Sequence, residues 1–298
     1  MNQLKTAMQH LQKLLFLFML VLFTGTVFVE KASAQFFFFG KNRVQYEDFE
    51  WRFIETDHFD IYYYDKKNYH LAQFTAESLE SGLKQLLETF DHSLTARIPV
   101  IIYDSHSDFS QTNVVALPLE QTQFIGGVTD KLKNRMTQPF MGDYIDFRRT
   151  LHHELLHAVV NDFYFGGSLQ SIIQNNIQLQ FPLFFEEGLA EFMAQGWDTE
   201  TDTWYRDAVI NDNLPPLTQL DRVQPYRGGQ GFWNFVQEVY GRPKITEILQ
   251  RVKSTRSVGQ SFVVSLGLNI EELSGRWQVL YNHRYFHEIE GRENLSSF

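Results

Sequence analysis

The 298-residue sequence contains no cysteine. That excludes a disulfide framework, a cysteine nucleophile and lipidation through a cysteine. It also lacks an excess of positive charge. Lys and Arg number 26 against 36 Asp and Glu, a formal net charge of −10, which makes the chain a poor binder of polyanions and argues against nucleic acid as a partner. No internal repeat, glycine-rich phosphate loop or low-complexity tract is present. A membrane-spanning run is missing too: the apolar stretch Leu14 to Val29 is interrupted at Thr24, Gly25 and Thr26 and falls short of the ~20 residues a spanning helix needs.

That same stretch has another meaning. Lys5 and Lys13 precede it and Ala32-Ser33-Ala34 follows it, the arrangement of a secretory signal peptide over residues 1–34, cleaved after Ala34. Cleavage removes three lysines and one glutamate and leaves 23 basic against 35 acidic side chains, a net of −12. An exported, cysteine-free chain fits a bacterial periplasm, cell envelope or exterior. The composition, 43% hydrophobic and 21% charged, is that of a globular chain able to form a core.

Residues 35–298 read as one α+β domain, with an α+β lobe over about 35–161 and a helical lobe over about 183–290. Phe36-Phe37-Phe38-Phe39 is too apolar to stay solvated and reads as a starting strand or a docking segment. Phe59 to Tyr64 alternates and is β-rich, and Ile98 to Tyr103 is a short β-branched run; both predict strands. Between them Ala72, Ala76, Leu79, Leu83, Leu86 and Phe90 recur at gaps of four and three, the stripe of an amphipathic helix. Phe124 to Phe140 predicts two strands joined by a polar turn, and Pro139 marks the second as an edge strand or its end. From Tyr144 apolar positions wrap more than half a helix, with Asp143 as N-cap, so this helix is expected to be buried. Asn161 to Pro182 reads as a loop-rich insertion holding a short helix at Leu169 to Leu179, and Phe184 to Gln195 as the next helix. Asp198 to Pro216 is a connector with at least one short helix. Helices are then expected at Phe232 to Val239, Pro243 to Lys253, Gly259 to Leu266 and Ile270 to Tyr281, with Gly241 and Gly267 as stops.

The buried helix carries His153-Glu154-Leu155-Leu156-His157. Four positions apart on a helix, His153 and His157 project from one face and can reach a single Zn2+ ion, with a carboxylate from another element as the third protein ligand and water in the fourth place. Glu154, rotated about 100° from its neighbour, lies beside that water as a general base. A chance His-Glu-x-x-His string is expected ~0.02 times in a chain of this composition. Glu187, opening the next helix, can turn its carboxylate to the histidines, and Glu191 on the same face can accept the other ring N–H of a ligand histidine. Glu186 points elsewhere around that helix. His152 faces away from the metal, and His92 and His106 are read as structural or solvated. Tyr226 and Arg227, ahead of Gly228-Gly229, offer a phenol or guanidinium to an oxyanion, or else serve as turn residues. The strand at Arg135 to Gln138 offers an edge for pairing with an extended substrate.

His153-Glu154-Leu155-Leu156-His157 with Glu186-Glu187-Gly188-Leu189-Ala190-Glu191-Phe192 resembles the gluzincin metallopeptidases, specifically the peptidase MA-like domains. The resemblance implies a zincin-like (thermolysin-type) fold, Glu187 as third zinc ligand and Glu191 as the group supporting a histidine. Gly126 to Arg135, Tyr226 to Gln230, and Ile270-Glu271-Glu272-Leu273 with Trp277 look like the N-terminal module of exported bacterial proteins that continue into a β-propeller similar to that of TolB. No propeller repeat is present here, so the chain looks like that module alone. It departs from the family pattern at Phe184, where Trp is usual, and at Glu186, where Asn is usual. The expected function is an exported zinc metallopeptidase acting on a peptide or protein. Its rivals are a zinc-binding but catalytically inactive interaction module for a cell-envelope partner, and a metal-dependent hydrolase of other substrates.

Overall fold

The computed structural model describes residues 47–113, 126–166 and 179–286. The signal peptide, the Phe36 to Phe39 run, the first residues of the expected hairpin and nearly all of the short helix expected at Leu169 to Leu179 lie outside the described residues.

The fold is α+β, with a five-stranded mixed sheet and mostly helical content elsewhere. Strand β1 (Trp51–Glu55) runs antiparallel to β2 (Phe59–Tyr64), which pairs in parallel with β3 (Ile98–Tyr103). A 22-residue helix, α1 (Tyr69–Phe90), joins those parallel neighbours. Strand β5 (Arg135–Pro139) lies parallel to β3, and β4 (Val128–Asp130) pairs antiparallel with β5 on its far side. The order β1-β2-β3-β5-β4 therefore makes β4, and not Arg135 to Gln138, the sheet edge on that side. Pro139 ends β5; it does not leave the strand unpartnered, because β3 and β4 flank it.

Alternation decides which face is covered. Ile61, Val100 and Met136 lie in one register row, and all three are fully buried. Leu79, Leu83 and Phe90 of α1 belong to the same core. Burial of side chains this size contributes about 1.5–3 kcal/mol each. The C-cap of α1, Asp91, adopts the left-handed conformation (φ 48°) and donates its N–H to the carbonyls of Leu87 and Glu88. Short helix α2 (His106–Ser110) follows β3.

Helix α3 (Tyr144–Phe165) begins where Asp143 accepts hydrogen bonds from the amides of Ile145 and Asp146, at 2.6 and 3.1 Å. Leu151, Leu155, Leu156, Ala158 and Val159 are wholly buried, as expected of a helix that is apolar nearly all round. It continues through Asn161 to Phe165, a stretch the sequence predicts as loop. Polar Asn161 and Asp162 break the apolar pattern, but both are buried and held by neighbouring segments: Asn161 Nδ2 donates to the Lys131 carbonyl at 2.7 Å, and Asp162 lies 2.8 Å from His92 Nε2.

Beyond it lie α4 (Leu183–Gln195), α5 (Thr199–Ile210), the short α6 (Leu220–Val223), α7 (Pro225–Tyr240), α8 (Pro243–Thr255), α9 (Val258–Leu266) and α10 (Ile270–Phe286). Gly241 and Gly267 terminate α7 and α9 with φ of 85° and 71°. Helices α4 and α7 cross at glycine: a Cβ on Gly188 would come within 2.3 Å of Gly229 Cα, and one on Gly229 within 2.1 Å of the Phe184 carbonyl oxygen. Trp233 Nε1 donates to the Phe185 carbonyl at 2.9 Å across the same crossing. Among the described residues no helix is long and apolar enough to cross a membrane.

Candidate metal centre

Helices α3 and α4 bring the sequence-predicted ligands together. His153 Nε2 and His157 Nε2 are 3.2 Å apart, and Glu187 Oε2 lies 3.3 Å from the first and 3.4 Å from the second. Among the described residues, His153, His157 and Glu187 are the group of His and acidic side chains that could hold a metal ion. The ring atoms that face away from this triangle are also held. His153 Nδ1 lies 3.1 Å from Glu191 Oε1, and His157 Nδ1 lies 3.3 Å from Glu186 Oε1.

This second contact corrects the sequence reading of Glu186. The helical-face argument turns Glu186 away from the site, yet its side chain is buried and accepts from His157 on one side and from Lys131 Nζ on the other, at 3.1 and 3.2 Å. A wheel drawn around one point hides this arrangement. The two Nδ1 atoms face different carboxylates of α4, Glu186 just before Glu187 and Glu191 one turn after it. Glu191 occupies its expected place and is braced by Arg149 Nη2 at 3.2 Å and Gln195 Nε2 at 2.8 Å.

Glu154 is buried beside the triangle. Thr129 of β4 donates its hydroxyl to Glu154 Oε2 at 2.7 Å, and a Cβ on Gly127 would meet Glu154 Cγ at 2.9 Å. Glycine at 127 thus lets the chain entering the sheet edge pass directly over this carboxylate. Tyr226 sits in the first turn of α7, not in a turn ahead of the glycines; Pro225 starts that helix, and Gly228 and Gly229 are helical residues needed for close packing. Its ring stacks on His153 with centroids 6.2 Å apart. Arg227 is directed elsewhere, with Nη2 2.6 Å from Glu200.

Two other histidines take structural places. His152 Nε2 lies 2.9 Å from the Ser78 carbonyl oxygen, and Gly82 makes room for its ring against α1. His92 Nε2 lies 2.8 Å from Asp162.

No protein-family model matches this chain, and no curated protein matches its sequence. The site must therefore be judged on its own chemistry.

With protons as the only cations, burial disfavours the charged form of both rings but the carboxylates outweigh it. Glu187 and Glu191 hold His153 up to about 9, and Glu186 and Glu187 hold His157 up to about 10. Burial would raise the Glu187 carboxyl, yet the two imidazoles keep it far below the usual carboxylate range. Burial also raises the Tyr226 phenol, and the negative charges of Glu187, Glu154 and Glu191 add to this, pushing it up to about 12. It therefore stays a neutral O–H donor at ordinary pH.

The donor set fits zinc on two counts. An ion bonded to two imidazole nitrogens and a carboxylate oxygen at about 2.0–2.2 Å with tetrahedral angles sets those atoms about 3.3–3.5 Å apart, close to the observed 3.2–3.4 Å. Each Nδ1 faces a carboxylate, so in the neutral rings both Nε2 lone pairs converge with Glu187 Oε2 on one point. Three converging acceptors need a cation. Charge agrees: the carboxylates of Glu154, Glu186, Glu187 and Glu191 are offset by Lys131 and Arg149, leaving two negative charges, which a divalent ion cancels.

Proposed function

We propose that this chain is an exported zinc-dependent metallopeptidase with a zincin-like fold, acting on a peptide or protein substrate in a bacterial periplasm, cell envelope or exterior. The observation that carries the reading is the triangle of His153 Nε2, His157 Nε2 and Glu187 Oε2, with each histidine backed by its own carboxylate. The signal-like residues 1–34 support export, and sequencing the N-terminus of the secreted protein tests it: a start at Gln35 is expected, and an intact leader would contradict it.

Held by His153, His157 and Glu187, zinc would supply Lewis acidity, polarising a carbonyl and making water a better nucleophile near neutral pH. Glu154 takes the proton from the attacking water and passes it to the leaving amine. Thr129 occupies one carboxylate oxygen of Glu154, fixing the rotamer and leaving Oε1 for proton transfer. The neutral phenol of Tyr226, beside His153, donates to the oxyanion that develops on the attacked carbonyl. Glu191 and Arg149 hold the His153 ring, and so keep Nε2 aimed inwards. Beside Glu154 the outer edge of β4 offers backbone donors and acceptors to an extended substrate, in place of the β5 edge expected from sequence.

The test is cleavage of a peptide library by zinc-loaded protein and by its Glu154→Gln variant. Cleavage lost in the variant at unchanged zinc content is expected. A zinc-loaded protein that cleaves nothing beyond what the variant cleaves would sink the peptidase reading and favour the interaction module.

A further inference from the structure

Lys131 belongs to neither the ligand set nor the proton-transfer pair, yet it is fastened at three points. Its ammonium bonds both oxygens of Glu186, at 3.1 and 3.2 Å. Its backbone carbonyl accepts from Asn161 Nδ2 at 2.7 Å, and the same amide reaches Asn134 Oδ1 at 3.1 Å. Lys131 and Asn134 belong to the turn between β4 and β5, and Asn161 lies one helical turn beyond His157 on α3. The turn of the edge hairpin is thereby tied to both helices of the metal centre.

Glu186 is the middle of this connection. It is buried, and a buried carboxylate is stable only when its oxygens are paired. Lys131 binds both oxygens, which leaves Glu186 a single rotamer from which Oε1 also faces His157 Nδ1. In the neutral ring the contact at 3.3 Å favours the hydrogen on His157 Nδ1, which leaves Nε2 as the acceptor facing the triangle.

We propose that Lys131 and Glu186 form a latch that orients His157 for metal binding and fastens the edge hairpin to the metal-bearing helices. The latch rests on the zinc reading given above, and Lys131 acts in it as a positioning residue, through Glu186. His153 has a parallel brace in Arg149 and Glu191, but that brace comes from α3 and α4 themselves. Of these two histidine braces, the latch is the one that reaches the hairpin turn.

The test is zinc affinity by competition with a chromogenic chelator, together with the visible band of the Co2+-substituted protein, in folded variants checked by circular dichroism. Lys131→Met is expected to weaken zinc binding about tenfold and Glu186→Gln by about 10–100-fold. Both should shift the Co2+ band. The double variant should bind no more weakly than Glu186→Gln alone, because Lys131 works through Glu186. Lys131→Arg keeps the ion pair and should restore both affinity and band. Two findings would overturn the latch alone: affinity unchanged in both single variants, or losses that multiply in the double variant. A wild-type protein that takes up no stoichiometric zinc, or a His157→Ala variant that keeps it fully, would overturn the zinc reading and the latch with it.

Discussion

The candidate metal centre and the aromatic core around α5, α7 and α10 bury polar groups in opposite ways. Around α5, α7 and α10 the buried polar side chains are themselves neutral: Tyr205 donates to the Gly228 carbonyl at 2.7 Å, Tyr281 to that of Gly231 at 2.8 Å, and Gln230 to that of Gly196 and to Asp198, each at 2.7 Å. The rings of Tyr205, Trp277 and Tyr281 pack against one another there at 0% exposure. Between α3 and α4 the buried groups are ionisable, they converge, and their charges cancel only when protons on both imidazoles or a divalent cation balance the carboxylates. One region stabilises the fold without any bound cation, while the other depends on the cations it holds, protons or metal. The difference teaches where function lies, because a folding domain has no need of the second arrangement.

Substitutions should separate the two. Trp277→Ala should cost about 3–5 kcal/mol of stability by denaturant unfolding, while the protein that remains folded still binds one zinc. A loss of zinc stoichiometry in that folded fraction would blur the distinction. Tyr226→Phe should do the reverse. It removes only the phenolic oxygen, so stability should hold while kcat for a cleaved peptide falls about 10²–10³-fold with KM little changed. A change in KM alone would assign Tyr226 to substrate binding.

The raised imidazole values add a pH signature. At pH 7 both rings carry protons when zinc is absent, since their pKa values are about 9 and about 10. Zinc loading should then release roughly two protons at pH 7, read from calorimetry in buffers of different ionisation enthalpy, and release should disappear above about pH 10. The sign for stability follows from the same shifts. In chelator, the folded-state pKa values lie above the ordinary ~6.5 of imidazole, so the cluster stabilises the zinc-free fold fully below that pH. This contribution is lost as pH rises through about 9 and 10. Zinc uptake without proton release would place the ion elsewhere. The smallest effect is local: Asp143→Ala removes the cap of α3 and should cost about 1 kcal/mol, without altering zinc content.

The sequence made the ordered elements legible where burial imposes a period. Phe59 to Tyr64 alternates in part and Ile98 to Tyr103 is a short β-branched run, because both strands feed the core they share with α1 and α3, and α3 starts where Asp143 can cap it. Strand β1 escaped notice because it is an edge with Trp51 and Phe53 exposed, so no core dictates its pattern. The order of β4 and β5 escaped because proline forbids a ladder hydrogen bond but does not reveal which neighbour would have supplied it. The convergence of His153, His157 and Glu187, and the places of Glu154 and Glu191 beside them, were legible from helical spacing. Glu186 was not, because its partner Lys131 lies 55 residues away and only the folded hairpin turn brings it near. For Tyr226 the sequence leaves an oxyanion donor and a turn residue both open; in the structure Pro225 starts a helix there, and Gly228 and Gly229 serve close helix packing.

Anomalous diffraction at the zinc edge tests the central claim most directly. Crystals of the zinc-loaded protein should give one strong peak about 2.0–2.2 Å from His153 Nε2, His157 Nε2 and a Glu187 carboxylate oxygen, with Glu154 outside bonding distance. A peak bound by other residues, or none at the triangle in protein that contains stoichiometric zinc, would contradict it.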